Sequence, residues 1–181
     1  LRVSDLMNLS GALTVLRLPL ALVFPVVATD PVWSLGVYLL AILSDALDGV
    51  VARWQGTVSE TGAFADGWLD KIFHVQAAWS FAVFEVVPVW WMVLWFSREL
   101  IQIVTVPWYV RRYLRGERPP VQSVPLGKAT SILLAVAFVL TMTGMKPAAL
   151  WVTVCCGVTG VIVGVQYLLR IWGVEELRGR D

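Results

Sequence analysis

The stretch that decides the reading is Asp45-Ala-Leu-Asp48-Gly49-Val-Val-Ala52-Arg53, then eight residues, then Gly62-Ala-Phe-Ala-Asp66-Gly-Trp-Leu-Asp70. Four carboxylates and an arginine sit here among Leu, Val, Ile, Ala, Phe and Trp. One ionisable side chain at membrane depth costs ~2.5–3.5 kcal/mol on insertion scales, so such residues face polar interiors and serve function. Several acids together require a cation to offset them. On helices, Asp45 and Asp48 are three residues apart and Asp66 and Asp70 four apart, so each pair shares a face. The polar link from Arg53 to Thr61, with Gly56 inside it, lets the two helices pack antiparallel and the acids converge.

Hard oxygen donors in this number suit Mg²⁺, Mn²⁺ or Ca²⁺ rather than zinc, and two divalent ions would balance four carboxylates. Gly49, Ala52 and Gly62 keep the neighbouring surface low, so a substrate or another backbone can come close. Arg53 offers a planar fork for phosphate oxygens. Acids, low walls and an arginine together read as a diphosphate site. The bland alternative is that small residues pack helices while the acids pair with Lys71 and Arg98. It accounts for each residue singly and not for their joint spacing.

The pattern Asp45-x2-Asp48-Gly49-x2-Ala52-Arg53-x8-Gly62-x3-Asp66-x3-Asp70 resembles, without a gap, the signature of the CDP-alcohol phosphotransferases, integral membrane enzymes of phospholipid synthesis. The resemblance implies a homodimeric enzyme that transfers a phosphatidyl group from CDP-diacylglycerol, or another CDP-alcohol, to an acceptor and releases CMP. It implies Mg²⁺ or Mn²⁺ held by Asp45, Asp48, Asp66 and Asp70, with Asp70 as the base for the acceptor hydroxyl. Asp48, Gly49, Ala52, Arg53, Gly62 and Asp66 would take the CDP moiety.

Composition agrees with a membrane setting. Of 181 residues, 58% are hydrophobic, too many for an ordinary soluble domain, and the ten tryptophans suit aromatic belts at two interfaces. A net charge of +1 gives no reason to expect nucleic-acid binding. Cys155 and Cys156 are adjacent in an apolar run, which suits neither a disulfide framework nor a zinc site. The first apolar run lacks the flanks of a signal peptide.

The fold class expected is an all-α integral membrane protein with six transmembrane helices. An amphipathic segment over residues 1–9 leads into a membrane domain over 10–172, and a tail covers 173–181. The spans run over about 10–28, 32–54, 61–86, 88–113, 123–144 and 147–172, each long enough for a core that needs ~20 helical residues. Six crossings put both termini on one side. There lie Arg2, Arg53, Arg111, Arg112, Arg115, Arg118, Lys128, Arg170, Arg178 and Arg180, whereas the opposite loops hold only Lys146. The positive-inside rule then turns termini and motif towards the cytoplasm of the cell membrane. Trp33, Trp90, Trp91 and Trp151 fall near span starts on the other side, as interface anchors.

Other polar residues extend the reading. Asn8, Thr14 and Arg17 resemble the start of the first helix in the phosphatidylglycerophosphate synthases of this family. Arg17 then binds substrate, against the alternative of a snorkelling side chain. Ser97-Arg98-Glu99-Leu100 and Leu126-Gly127-Lys128-Ala129-Thr130 resemble those enzymes too, although Ala129 stands where they carry a second lysine. Neighbours on a helix do not face each other, so Arg98 is expected in the polar cavity rather than on Glu99. Arg98, Lys128, Arg111 and Arg17 are the candidates for an acceptor's phosphate, with glycerol 3-phosphate the first choice. Inositol phosphate, serine and phosphatidylglycerol remain as alternatives. His74 shares a face with Asp66 and Asp70, but its place fits a hydrogen-bonded core histidine better than a metal ligand. A divalent-cation transporter is the alternative of another class; Arg53 argues against it, since a fixed positive charge repels such cargo.

Overall fold

The computed structural model describes the backbone of residues 9–55, 60–114 and 125–178 and the side chains of 15–47, 50–51, 54, 69–104, 107, 111 and 125–169. The described residues form seven helices: α1 (Leu9–Val27), α2 (Pro31–Gln55), α3 (Glu60–Val83), α4 (Trp90–Trp95), α5 (Ser97–Leu114), α6 (Pro125–Met142) and α7 (Lys146–Arg178). They make two compact units, one over Leu1–Val87 with Met142–Gly144, the other over Pro88–Thr141 with Met145–Asp181.

In the first unit the helix ends follow from local chemistry. Asp30 caps α2: its Oδ1 accepts the amides of Val32 (2.9 Å) and Trp33 (3.1 Å), and Pro31 occupies the first helical position, where no donor is needed. At the other end of α3, the Val86 amide reaches the Phe81 carbonyl (2.8 Å) and the Glu85 amide that of Ala82 (3.2 Å). That is a Schellman closure, and it places Glu85 at φ 55°. α1 packs on both α2 and α3. Phe24, Tyr38, Phe73 and Phe81 are fully enclosed, with Phe24 edge-on to Phe73 (5.8 Å) and to Phe81 (5.5 Å). Lipid tails are as apolar as these rings, so in a bilayer such geometry, worth roughly 0.5–1.5 kcal/mol per pair, counts for more than burial does.

In the second unit α7 packs against α4 and α5. The approach is close because α7 presents glycines. A Cβ on Gly160 would stand 2.2 Å from Ser97 Oγ, and one on Gly164 would stand 2.8 Å from Ile101. Trp95 donates to Thr153 Oγ1 (2.9 Å), and its ring lies 4.7 Å from that of Phe138 on α6. The closure at the end of α6 matches that of α3, with the Met145 amide on the Leu140 carbonyl (3.0 Å) and Gly144 at φ 75°.

The fourth expected span differs from the structure. The chain breaks at Phe96 between α4 and α5, where Ser97 Oγ donates to the Leu94 carbonyl (3.0 Å) and to that of Gly157 (3.2 Å). A serine that back-bonds in this way competes with the helix ladder. α7 runs on as a helix through residues 173–178. Trp33, Trp90 and Trp151 are exposed as anchors should be, but Trp91 is buried edge-on against Trp95.

Two stretches, Pro125–Met142 and Lys146–Leu169, are long and apolar enough to cross a membrane, and shorter apolar runs cover Val15–Val27 and Pro31–Leu47. Leu22, Val26 and Val32 are more than three-quarters exposed on the first unit, and large apolar side chains on most other helices are exposed to a lesser degree. Apolar surface on that scale is characteristic of an apolar surrounding. The segment over residues 1–8 and the end at 179–181 lie outside the described residues.

Candidate active site

The motif occupies the end of α2 and the start of α3, joined through residues 56–59. Tyr38 meets Phe73 and His74, positions about equally far from that link, as an antiparallel hairpin requires. The helical backbone gives Asp45 and Asp48 a common face, and likewise Asp66 and Asp70. The side chains of Asp48, Gly49, Ala52, Arg53, Gly62 and Asp66 lie outside the described residues.

Asp45 and Asp70 are described, and each is held from within the unit. Arg17 on α1, only 1% exposed, places Nη2 2.7 Å from Asp45 Oδ1. His74, one turn beyond Asp70, places Nδ1 3.2 Å from Asp70 Oδ1 and 2.9 Å from the Asp70 carbonyl oxygen. Both carboxylates nevertheless keep 44% of their side-chain surface exposed. The charges of Asp70 and Asp45 both reach the His74 ring.

This donor set fits a divalent cation. Anchored carboxylates that remain half-open offer hard oxygens in a defined place, which Mg²⁺ and Mn²⁺ favour. Among the described residues no group of three or more His, Cys, Asp or Glu converges, and two of the four motif acids fall outside them.

The second unit holds three other candidates. Arg98 donates from Nε (2.9 Å) and Nη2 to Glu99 Oε1, and from Nη1 to the Gly127 carbonyl (2.9 Å) and Ser131 Oγ (3.3 Å). The adjacent pair therefore does meet, contrary to the spacing argument, because a long guanidinium can fold back along its own helix. It also ties α5 to the first turn of α6, which carries Lys128. Lys128 and Arg111 are exposed.

Tyr38 was not singled out by the sequence. Its hydroxyl lies 3.3 Å from His74 Nε2, although the two are 36 positions apart. The available signal was its place two turns before Asp45, on the same helix face.

Known proteins are similar to this chain along most of its length. Residues 7–172 match the family model for CDP-alcohol phosphatidyltransferase. A probable phosphatidylglycerophosphate synthase of Mycobacterium tuberculosis is 31% identical over 175 residues, spanning 90% of this chain and 81% of that protein. A CMP-forming cardiolipin synthase of Streptomyces coelicolor is 30% identical over 128 residues, spanning 71% and 57%. An archaetidylinositol phosphate synthase of Aeropyrum pernix is 52% identical over 43 residues, or 24% and 22%. With an ungapped motif, anchored acids and a match across nearly its whole length, the chain belongs to the CDP-alcohol phosphatidyltransferase family and is a transferase of that kind.

Proposed function

We propose that the protein transfers the phosphatidyl group of CDP-diacylglycerol to the hydroxyl of glycerol 3-phosphate, releasing CMP. The observation that carries this chemistry is the pair of anchored, half-exposed carboxylates, Asp45 and Asp70. Support for the acceptor comes from the mycobacterial relative, similar over 90% of this chain.

The acceptor oxygen attacks the phosphorus that bears the diacylglycerol ester. The bond from that phosphorus to the oxygen of CMP breaks, CMP leaves with the electron pair, and the hydroxyl proton passes to Asp70. Two divalent ions, Mg²⁺ or Mn²⁺, supply charge neutralisation of the diphosphate when bound. Asp45, Asp48, Asp66 and Asp70 hold them. Asp48, Gly49, Ala52, Arg53, Gly62 and Asp66 accommodate CDP, and Arg98, Lys128 and Arg111 receive the acceptor's phosphate. Arg17, proposed for that phosphate on the sequence, is better assigned to Asp45, since it is almost wholly buried against that acid. The enzyme works as a homodimer of six-span chains in the cell membrane, with motif and termini at the cytoplasmic face.

A second reading keeps the donor and takes phosphatidylglycerol as acceptor, in line with the Streptomyces relative. Glu99 favours it, because a paired Arg98 offers less net positive charge, which suits the singly charged phosphodiester of phosphatidylglycerol better than the doubly charged phosphate of glycerol 3-phosphate.

The test is CMP release by purified protein with CDP-diacylglycerol and Mg²⁺ or Mn²⁺, acceptor by acceptor. Release with glycerol 3-phosphate alone supports the first reading. Release with phosphatidylglycerol, inositol phosphate or serine instead replaces the acceptor and keeps the chemistry.

A further inference from the structure

The Asp70 carboxylate has a support that neither the motif nor the family match assigns. His74 Nδ1 faces two oxygens of Asp70, a carbonyl at 2.9 Å and a carboxylate at 3.2 Å. Both only accept, so Nδ1 carries the proton. In the neutral ring Nε2 then accepts from the Tyr38 hydroxyl, 3.3 Å away. Tyr38 in turn cannot swing. It is fully enclosed, its ring stacks on Phe73 at 6.0 Å, and Phe73 is braced edge-on by Phe24 from α1. Restraint therefore runs from α1 through Phe73 and Tyr38 to His74, and ends on an acid that is still 44% exposed.

We propose that His74, held by Tyr38, is a positioning residue that fixes the Asp70 carboxylate for a divalent cation and for the acceptor hydroxyl. The inference rests on the transferase reading of Asp70 and deepens it. A hydrogen-bonded partner behind a ligating carboxylate sets its orientation, and losing such a partner typically costs about 10–100-fold in metal affinity. His74 does this from a side chain 14% exposed, on the same helix as the acid, so helix geometry itself keeps the two in register.

Two replacements separate the ring's two nitrogens. In His74→Asn the amide nitrogen falls near the Nδ1 position and keeps a donor for Asp70, while contact with Tyr38 is lost. In His74→Gln the amide falls near Nε2, which keeps Tyr38 and loses the donor to Asp70. Full-length protein in nanodiscs is titrated with Mn²⁺ alone, and free Mn²⁺ is read by electron paramagnetic resonance beside each variant's melting temperature. His74→Gln is expected to bind Mn²⁺ about 10–100-fold more weakly. His74→Asn, which keeps the donor to Asp70 and loses the Tyr38 brace, is expected to fall between wild type and His74→Gln, with the ranking of affinities independent of the ranking of melting temperatures. Wild-type affinity in both variants would overturn the inference and leave the transferase reading standing. A loss in both that merely follows melting temperature would also overturn it, by showing a structural histidine. No Mn²⁺ uptake by the wild type would remove the metal reading of the motif and this inference with it.

Discussion

Arg17 on α1 and Asp45 on α2 form an ion pair of 2.7 Å in which the arginine is buried and the acid remains half-open. A guanidinium in that position neutralises one carboxylate from behind without closing its outer face. The contact runs from Nη2 to a single oxygen, and a lysine lacks the rigid planar head that places that nitrogen. Arg17→Lys is therefore expected to retain helical content by circular dichroism and to lose about 10–100-fold in CMP release. Wild-type turnover in Arg17→Lys would show that charge alone suffices there.

Removing divalent cations tests the same cluster from the other side. Treatment with a chelator is expected to abolish CMP release, and added Mg²⁺ or Mn²⁺ should restore it. Full activity after exhaustive chelation would contradict the role given to the four aspartates.

The close approach of α7 to α5 predicts opposite outcomes for two glycines. Gly160→Ala drives a methyl against Ser97 Oγ and towards the Arg98 backbone nitrogen (3.2 Å), so overpacking should cost about 1–3 kcal/mol. Gly36, inside α2, has nothing within 4 Å of a built Cβ. Gly36→Ala should gain roughly 0.5–1 kcal/mol from restricting the unfolded chain. Denaturation in detergent reads both, and equal shifts would refute the packing assigned to Gly160.

Glu85 and Gly144 occupy the same place in two Schellman closures, both at positive φ. A left-handed conformation costs a residue with a Cβ roughly 1–2 kcal/mol. Glu85→Gly should accordingly raise the melting temperature and Gly144→Ala lower it. The reverse order would mean that side-chain contacts, rather than backbone strain, govern these turns.

Much of this was legible in the residues. The motif spacing placed the acids on shared faces because helical periodicity is local. Family membership followed from residues that sit close together in sequence. What escaped was set by tertiary contact. The break at Phe96 depends on Ser97 meeting Gly157 on a helix sixty positions away. The Arg98–Glu99 pair formed despite adjacency because the guanidinium is anchored at its far side by Gly127. Tyr38 read as one more aromatic in an apolar run, and only its contact with His74 gives it a role.

The most direct measurement is CMP release by the purified protein in nanodiscs with CDP-diacylglycerol, glycerol 3-phosphate and Mn²⁺, alongside Asp45→Asn and Asp70→Asn. The account predicts one CMP per phosphatidylglycerophosphate formed by the wild type and essentially none by either variant, with all three proteins equally folded. Wild-type rates in Asp70→Asn, or no CMP from the wild type with any acceptor, would contradict it.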